Sequence, residues 1–424
     1  MKNLFQTHFV PSRLNVVISK TEKPFSLRKF PFPFQAMFAI CSDVDHAISL
    51  PAYLEFMRFL NTEQQTSYGK GVGLEISNSF WFYNAVGDEQ LSYFQGTSSL
   101  ESEFAGVCRD LWSSGHIDTL HGYGDFNRGG FERHYAEQAL EEFEKWNVKI
   151  PVWVNHGNDN NHQKLGNYPG FDGANPSSKA YHFDLLREYG TRFYWAGRTT
   201  HVCGQKAAFS LGNEAHKLLQ SLIVKTKYRH VQRPLPDTVN RLLIPAKQAD
   251  GGELLEFQRF ISRYGQVKNT DLHDLSLQLT RGNLSTLVKN EGYMLLYTHM
   301  NEHLPEQQAL PAGVEAGFRL LSEYSQNGDL LVTTSSRLLQ YADIHEQLAW
   351  ETKYSSGQTQ IHLFRLDARP LAVEALQGIT LYCTEPEKTA LFCGEKELST
   401  KINPLDSSGK PSISVVWEAL EFPV

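Results

Sequence analysis

Short apolar runs alternate with amphipathic helical stretches along roughly the first 350 residues, and this alternation limits what the chain can fold into. Phe38-Ala39-Ile40-Cys41, Lys149-Ile150-Pro151-Val152-Trp153-Val154, Tyr293-Met294-Leu295-Leu296-Tyr297 and Leu330-Leu331-Val332-Thr333-Thr334 are too brief for helices and read as buried strands. Further strands are expected near Val72 to Ile76, Ile117 to His121 and Arg192 to Ala196. Between them, helical spacing of apolar residues predicts helices near 51–60, 103–113, 132–145, 179–189, 275–290, 314–325 and 336–348. Strands alternating with helices of this length build a parallel sheet. About seven such units fit a distorted (β/α) barrel better than an open sheet. From about Trp350 onward, short strands follow one another without helices. The expected organisation is therefore a barrel over 1–347 and a small C-terminal β-sandwich-like domain over 348–424. The stretch 222–251, with Lys225, Lys227, Arg229, His230 and Arg233, reads as an inserted loop.

Composition narrows the function classes. The net charge of −7 leaves no basic footprint for nucleic acid. No apolar run approaches the roughly 18 residues of a membrane span. Five scattered cysteines, Cys41, Cys108, Cys203, Cys383 and Cys393, form no disulfide framework, and Met1 to His8 lack the apolar segment of a secretory signal. A cytoplasmic location is expected. Aromatic residues are abundant (26 Phe, 18 Tyr, 7 Trp), which fits core filling and also sugar-stacking surfaces.

The informative feature is where the polar residues fall. Four apolar runs end in acids and histidines: Asp43-Val44-Asp45-His46; His121-Gly122-Tyr123-Gly124-Asp125; Asn155-His156-Gly157-Asn158-Asp159; and His299-Met300-Asn301-Glu302-His303. Catalytic groups of βα barrels sit at these C-terminal strand ends, so the four clusters are expected to converge on one face. A mixed Asp/His group suits zinc with a position left open for water. Asp43 and Asp45, two residues apart on an extended strand, point the same way.

In these motifs the sequence resembles the NodB-like polysaccharide deacetylases, over roughly residues 35 to 347. Gly115-His116-Ile117-Asp118-Thr119-Leu120-His121-Gly122-Tyr123-Gly124-Asp125 follows the spacing of that family's second motif, G-H-E-I-G-x-H-x-x-x-H. Leu295-Leu296-Tyr297-Thr298-His299 is similar to its late Leu-His motif. The resemblance implies Asp43 as catalytic base, Asp45, His121 and Asp125 as metal ligands, and His299 as general acid. Three departures stand out. The aspartate pair is split by Val44, Asp125 replaces the second metal histidine, and Asn155-His156-Gly157-Asn158 stands where an R-x-P-[YF]-G motif is usual. His156 therefore rivals Asp125 as third ligand, and it rivals Asp43 as base should both aspartates touch the metal. Asn155 and Tyr123 are further metal or substrate candidates. His116 is expected to support His121 from behind, His46 to cap its loop and His162 to be solvated.

The implied activity is metal-dependent hydrolysis of an acyl group, an acetyl group first of all, from an amino-sugar or related carbohydrate, with zinc or another divalent transition metal. Two other readings compete. One is a metal-independent glycoside hydrolase using Asp43 or Glu75 in a carboxylate pair. The other is a degenerate carbohydrate-binding protein stacking sugars on Trp81, Tyr83, Tyr123 and Trp195.

Overall fold

The computed structural model describes residues 25–423 apart from 88, 207–239, 263–266, 268, 306–308 and 356. The basic cluster from Lys225 to Arg233 and the N-terminal Met1–His8 lie outside the described residues.

The chain is a mixed α/β structure with several sheets and, among the described residues, eight α-helices. Ala36–Ser42 is buried along its whole length, as a parallel strand covered on both faces must be. It pairs in parallel with Tyr293–Thr298 on one side and Leu330–Val332 on the other. Arg259–Phe260 and Thr199–Thr200 complete this five-stranded sheet. A six-stranded sheet runs Leu243–Lys247, Glu253–Phe257, Phe193–Trp195, Val152–Val154, Ile117–His121 and Asn78–Phe80, all parallel except the first. Glu253–Phe257 and Arg259–Phe260 are separated by Gln258 alone, so one stretch of chain serves both sheets. Met37, Ala39, Val152, Val154, Phe193, Phe257, Leu295 and Leu331 from the two sheets share a core. Phe38 and Ile40, pointing the opposite way, join the layer beneath the helices. No hydrogen-bonded ladder among the described residues closes the two sheets into a barrel.

Local chemistry sets the helices. Ser49 caps Leu50–Asn61 by accepting from the Ala52 N–H, Pro51 occupies the first turn, and Tyr53, Phe56, Met57, Phe59 and Leu60 line the buried face. The single helix expected over 275–290 is two, Leu275–Gln278 and Arg281–Lys289, because Thr280 starts a new helix by capping Asn283 N–H. The strand expected at Val72 to Ile76 forms instead at Asn78–Phe80. The 222–251 stretch is not all loop: Leu243–Lys247 is an edge strand, where Pro245 is tolerated.

The helix Ser335–Gln347 runs directly into the strand Leu348–Ser355. Two four-stranded sheets follow. One takes its edge strand from the other end of the chain, Phe25–Leu27, which pairs antiparallel with Thr380–Cys383. Among the described residues no helix is long and apolar enough to cross a membrane.

Candidate metal centre

The strand Ala36–Ser42 delivers the aspartates. Its ladder continues one step, with Asp43 N–H donating to Thr298 O at 2.9 Å, and Ser42 Oγ accepts from Met300 N–H at 3.1 Å. These bonds hold the ends of Ala36–Ser42 and Tyr293–Thr298 side by side, which sets Asp43 and Asp45 opposite His299. His121 closes Ile117–His121, and His156 stands two residues beyond Val152–Val154. Immediately after His121 the chain turns at Gly122 with φ +59°, where a Cβ would meet Gln163 Oε1 at 2.9 Å. That Gln163 amide binds Tyr123 N–H and Gly124 O, fixing the turn.

All four strand-end clusters contribute to one assembly. His121 Nδ1 lies 3.2 Å from Asp45 Oδ2, and neither atom, both buried, has a hydrogen-bond partner. His156 Nδ1 lies 3.3 Å from Asp45 Oδ1. Ligand atoms on a tetrahedron with bonds of about 2.1 Å stand about 3.4 Å apart. Asp45, His121 and His156 each offer a ligand atom within 4.8 Å of the others, so the three could hold a metal ion, and Asp43, Asp45 and His299 form a second, overlapping group. Two buried polar atoms facing each other unsatisfied carry a desolvation cost that a cation between them removes.

The residue grouped with Asp45 and His121 is His156 rather than Asp125. Asp125 Oδ1 stands behind the ring, 3.5 Å from His156 Nε2, and also accepts from Asn127 N–H at 2.9 Å. A carboxylate in that position orients a ligating histidine and strengthens it as a donor. Trp81 buttresses both rings, stacked on His121 at 5.7 Å between centroids and edge-on to His156 at 4.8 Å.

Asp43 has a different environment. Arg259 donates to its two oxygens at 2.6 and 3.0 Å, and the guanidinium lies between Trp195 and Tyr297, 3.4 and 3.8 Å from their ring centroids. Arg259 is wholly buried. Burial by itself would raise the Asp43 pKa, but the Arg259 charge overrides it and lowers it to about 2. Burial pushes His121 down to about 4 against the pull of Asp43 and Asp45, so the ring is neutral at pH 7 with a lone pair to offer a cation. Burial also works to lower His156, but the carboxylates Asp45 and Asp125 outweigh it and raise the pKa. His299 Nδ1 is anchored at Thr270, 3.1 Å from Oγ1 and 3.2 Å from the carbonyl oxygen. Its Nε2 faces the acids, 3.8 Å from Asp43 Oδ2 and from Asp45 Oδ2.

These groups line a cavity of about 370 Å³, whose far wall carries Lys164, Phe171, Trp195 and Tyr297. Asn155 borders it, but its amide is committed to Trp153 Nε1 and to both backbone groups of Leu165. Tyr123 is absent from the lining and stacks on Phe131 in the core. Glu75 is also elsewhere, bound to Arg337 through both oxygens at 2.6 Å, so it forms no carboxylate pair with Asp43. Of the four aromatics proposed to stack sugars, Trp81, Tyr83 and Tyr123 are buried and do not line the cavity, and Arg259 covers a face of Trp195. His116 packs edge-on to Phe422 rather than behind His121. His46 is exposed at φ +60°, and His162 pairs with Asp172 at 2.7 Å.

Comparison of the chain with family models, with curated proteins and with solved structures returns no match.

Sequence reasoning missed Arg259. The signal was present in Phe257-Gln258-Arg259-Phe260, a charged residue inside an apolar strand-like run, which requires a buried partner of opposite charge.

Proposed function

We propose that this protein is a metal-dependent hydrolase that removes an acyl group, an acetyl group first of all, from the nitrogen of an amino-sugar or related carbohydrate. The observation that carries this reading is the unsatisfied pair Asp45 Oδ2 and His121 Nδ1, 3.2 Å apart, with His156 Nδ1 beside the same carboxylate. The motif resemblance supports the choice of reaction. The same reading takes the two sheets as halves of an incomplete barrel around their shared core.

Asp45, His121 and His156 would hold the ion. When bound, a zinc-like cation supplies the acidity that activates water and polarises an acyl carbonyl. The remaining groups manage protons and position. Asp43, kept ionised by Arg259, accepts a hydrogen bond from the attacking water and orients it. A carboxylate that a buried guanidinium holds well below its usual range is a poor store for that proton at neutral pH. His299 Nε2 faces the same oxygen and is the group placed to take the proton and return it to the leaving nitrogen. The role expected for Asp43 alone is thus divided between Asp43 and His299. Phe171 and Tyr297 offer apolar wall to the sugar ring, and Lys164 offers a donor.

The test joins metal analysis to turnover. Purified protein should contain one divalent transition metal per chain and release acetate from N-acetylated amino-sugars. Chelation or Asp45→Asn should abolish both. Undiminished acetate release by metal-free protein would overturn the reading.

A further inference from the structure

The C-terminal sheet made of Leu348–Ser355, Gln358–Arg365, Thr389–Cys393 and Lys396–Glu397 has Leu348–Ser355 as an edge strand. Among the described residues no strand pairs with the outer side of Leu348–Ser355. The strand matches Gln358–Arg365 residue for residue over its whole length, without a bulge, and contains no proline. Monomeric proteins usually protect an edge this long by bulges, prolines or short length.

The groups it presents can be assigned. Leu366 N–H donates to Gln347 O at 2.8 Å, in the same register as the strand pair. Antiparallel bonding alternates along the strand, so odd-numbered residues bond inward. The N–H and C=O groups of Trp350, Thr352 and Tyr354 therefore point outward. Tyr354, at 77% exposure, is the most exposed large hydrophobic side chain among the described residues.

We propose that two copies of this chain pair edge to edge through Leu348–Ser355, antiparallel, about a two-fold axis at Thr352. The sequence is self-complementary in that one register. Thr352 meets its own counterpart, and its outward N–H and C=O exchange two hydrogen bonds with it. Trp350 meets Tyr354 of the second copy, again with both backbone groups facing. Glu351 meets Lys353 of the second copy at a non-hydrogen-bonded position, where side chains stand closest. Aromatic, threonine and opposite-charge pairs are the cross-strand combinations that stabilise antiparallel sheets. The two-fold axis makes each occur symmetrically. Trp350 already packs against the hydrophobic core that contains Ile361 and Leu363, so the Trp350–Tyr354 contact extends that core across the axis. The result is one continuous eight-stranded sheet spanning two copies, with this edge paired.

Sedimentation velocity on the full chain over a concentration series is the test. The expected result is reversible association from a 48.2 kDa monomer to a species of twice that mass. Glu351→Lys sets lysine against Lys353 across the axis, and Lys353→Glu sets glutamate against Glu351. Each should weaken association roughly tenfold or more, and combining the two should restore it. Thr352→Pro removes an outward N–H while sparing the inward ladder, so it should abolish association with the circular dichroism spectrum unchanged. A monomer at every concentration overturns the proposal, and so does a dimer that the single charge reversals leave intact.

Discussion

Arg259 grips Asp43 through both carboxylate oxygens, and the two residues lie 216 positions apart in the chain. Arg259 is wholly buried and Asp43 nearly so, so each charge is balanced chiefly by the other. Arg259→Met should leave Asp43 buried and unpaired, at a cost of about 3–5 kcal/mol in chemical denaturation. Adding Asp43→Asn should recover a large part of that loss. Additive losses in the double variant would show that the pair is not coupled.

Metal affinity should rank the residues around His156. Asp45→Asn and His121→Gln remove ligands and should eliminate stoichiometric binding of zinc. Asp125→Asn removes only the carboxylate behind His156, and should weaken zinc affinity about 10–100-fold while leaving the stoichiometry at one. Competition titration with a chromophoric chelator reads both effects. Complete loss of the ion in Asp125→Asn would promote Asp125 to a ligand.

His299 and Asp43 should separate from the metal ligands in their kinetics. Because His299 is anchored at Thr270 and stands at the cavity wall, His299→Gln should keep the ion and lower kcat by about 10²–10⁴-fold with little change in KM. Asp43→Asn should also keep the ion and lose turnover. An Asp43→Asn variant as active as the parent protein would remove Asp43 from the reaction.

Acid should destabilise the fold through histidines remote from the cavity. Burial lowers His116, His182 and His345 to about 4 each. The unfolded chain titrates near 6.5, so between that pH and 4 it binds protons that the folded chain refuses. The contribution is complete above about pH 6.5, declines as pH falls, and levels off below 4. His182 is fully buried, and its share is on the order of 3 kcal/mol. Urea denaturation at pH 7.5 and 5 should show a smaller pH dependence for His182→Gln than for the parent. Equal dependence in the two proteins would assign acid sensitivity to other groups.

Gly122 should tolerate no side chain. Its φ of +59° strains any other residue, and a Cβ there would stand 2.9 Å from the Gln163 amide oxygen. Gly122→Ala should therefore misplace His121 and lower zinc affinity as well as melting temperature. Unchanged affinity would mean that the turn adapts without moving the ring.

Much of the parallel-strand framework was legible in the sequence because buried strands such as Ala36–Ser42 are continuous apolar runs with polar residues at their ends. The convergence of Asp43, Asp45, His121, His156 and His299 was expected from those ends taken together with the geometry of a parallel βα arrangement. What sequence reasoning did not reach was three-dimensional choice between chemically equivalent groups. Asp125 and His156 are both competent zinc ligands, and only the three-dimensional placement of Asp125 beside the His156 ring favours His156. Glu253–Phe257 and Arg259–Phe260 were missed because Glu253, Glu256 and Arg259 break the apolar pattern. Two of those charges are buried in pairs, Glu256 with Arg198 and Arg259 with Asp43, which a linear pattern does not show. The Leu348–Ser355 strand was not singled out, and its first residue was placed in the preceding helix, because no turn signal separates the two.

The donors of the centre are divided between the two sheets. His121 and His156 extend from strands of the six-stranded sheet, whereas Asp43, Asp45 and His299 extend from the five-stranded one. Neither half can assemble the centre alone. An ion held by Asp45, His121 and His156 would consequently be a cross-link between two sheets that no backbone ladder among the described residues joins, so losing the metal would cost the molecule a tie across its core as well as a reagent.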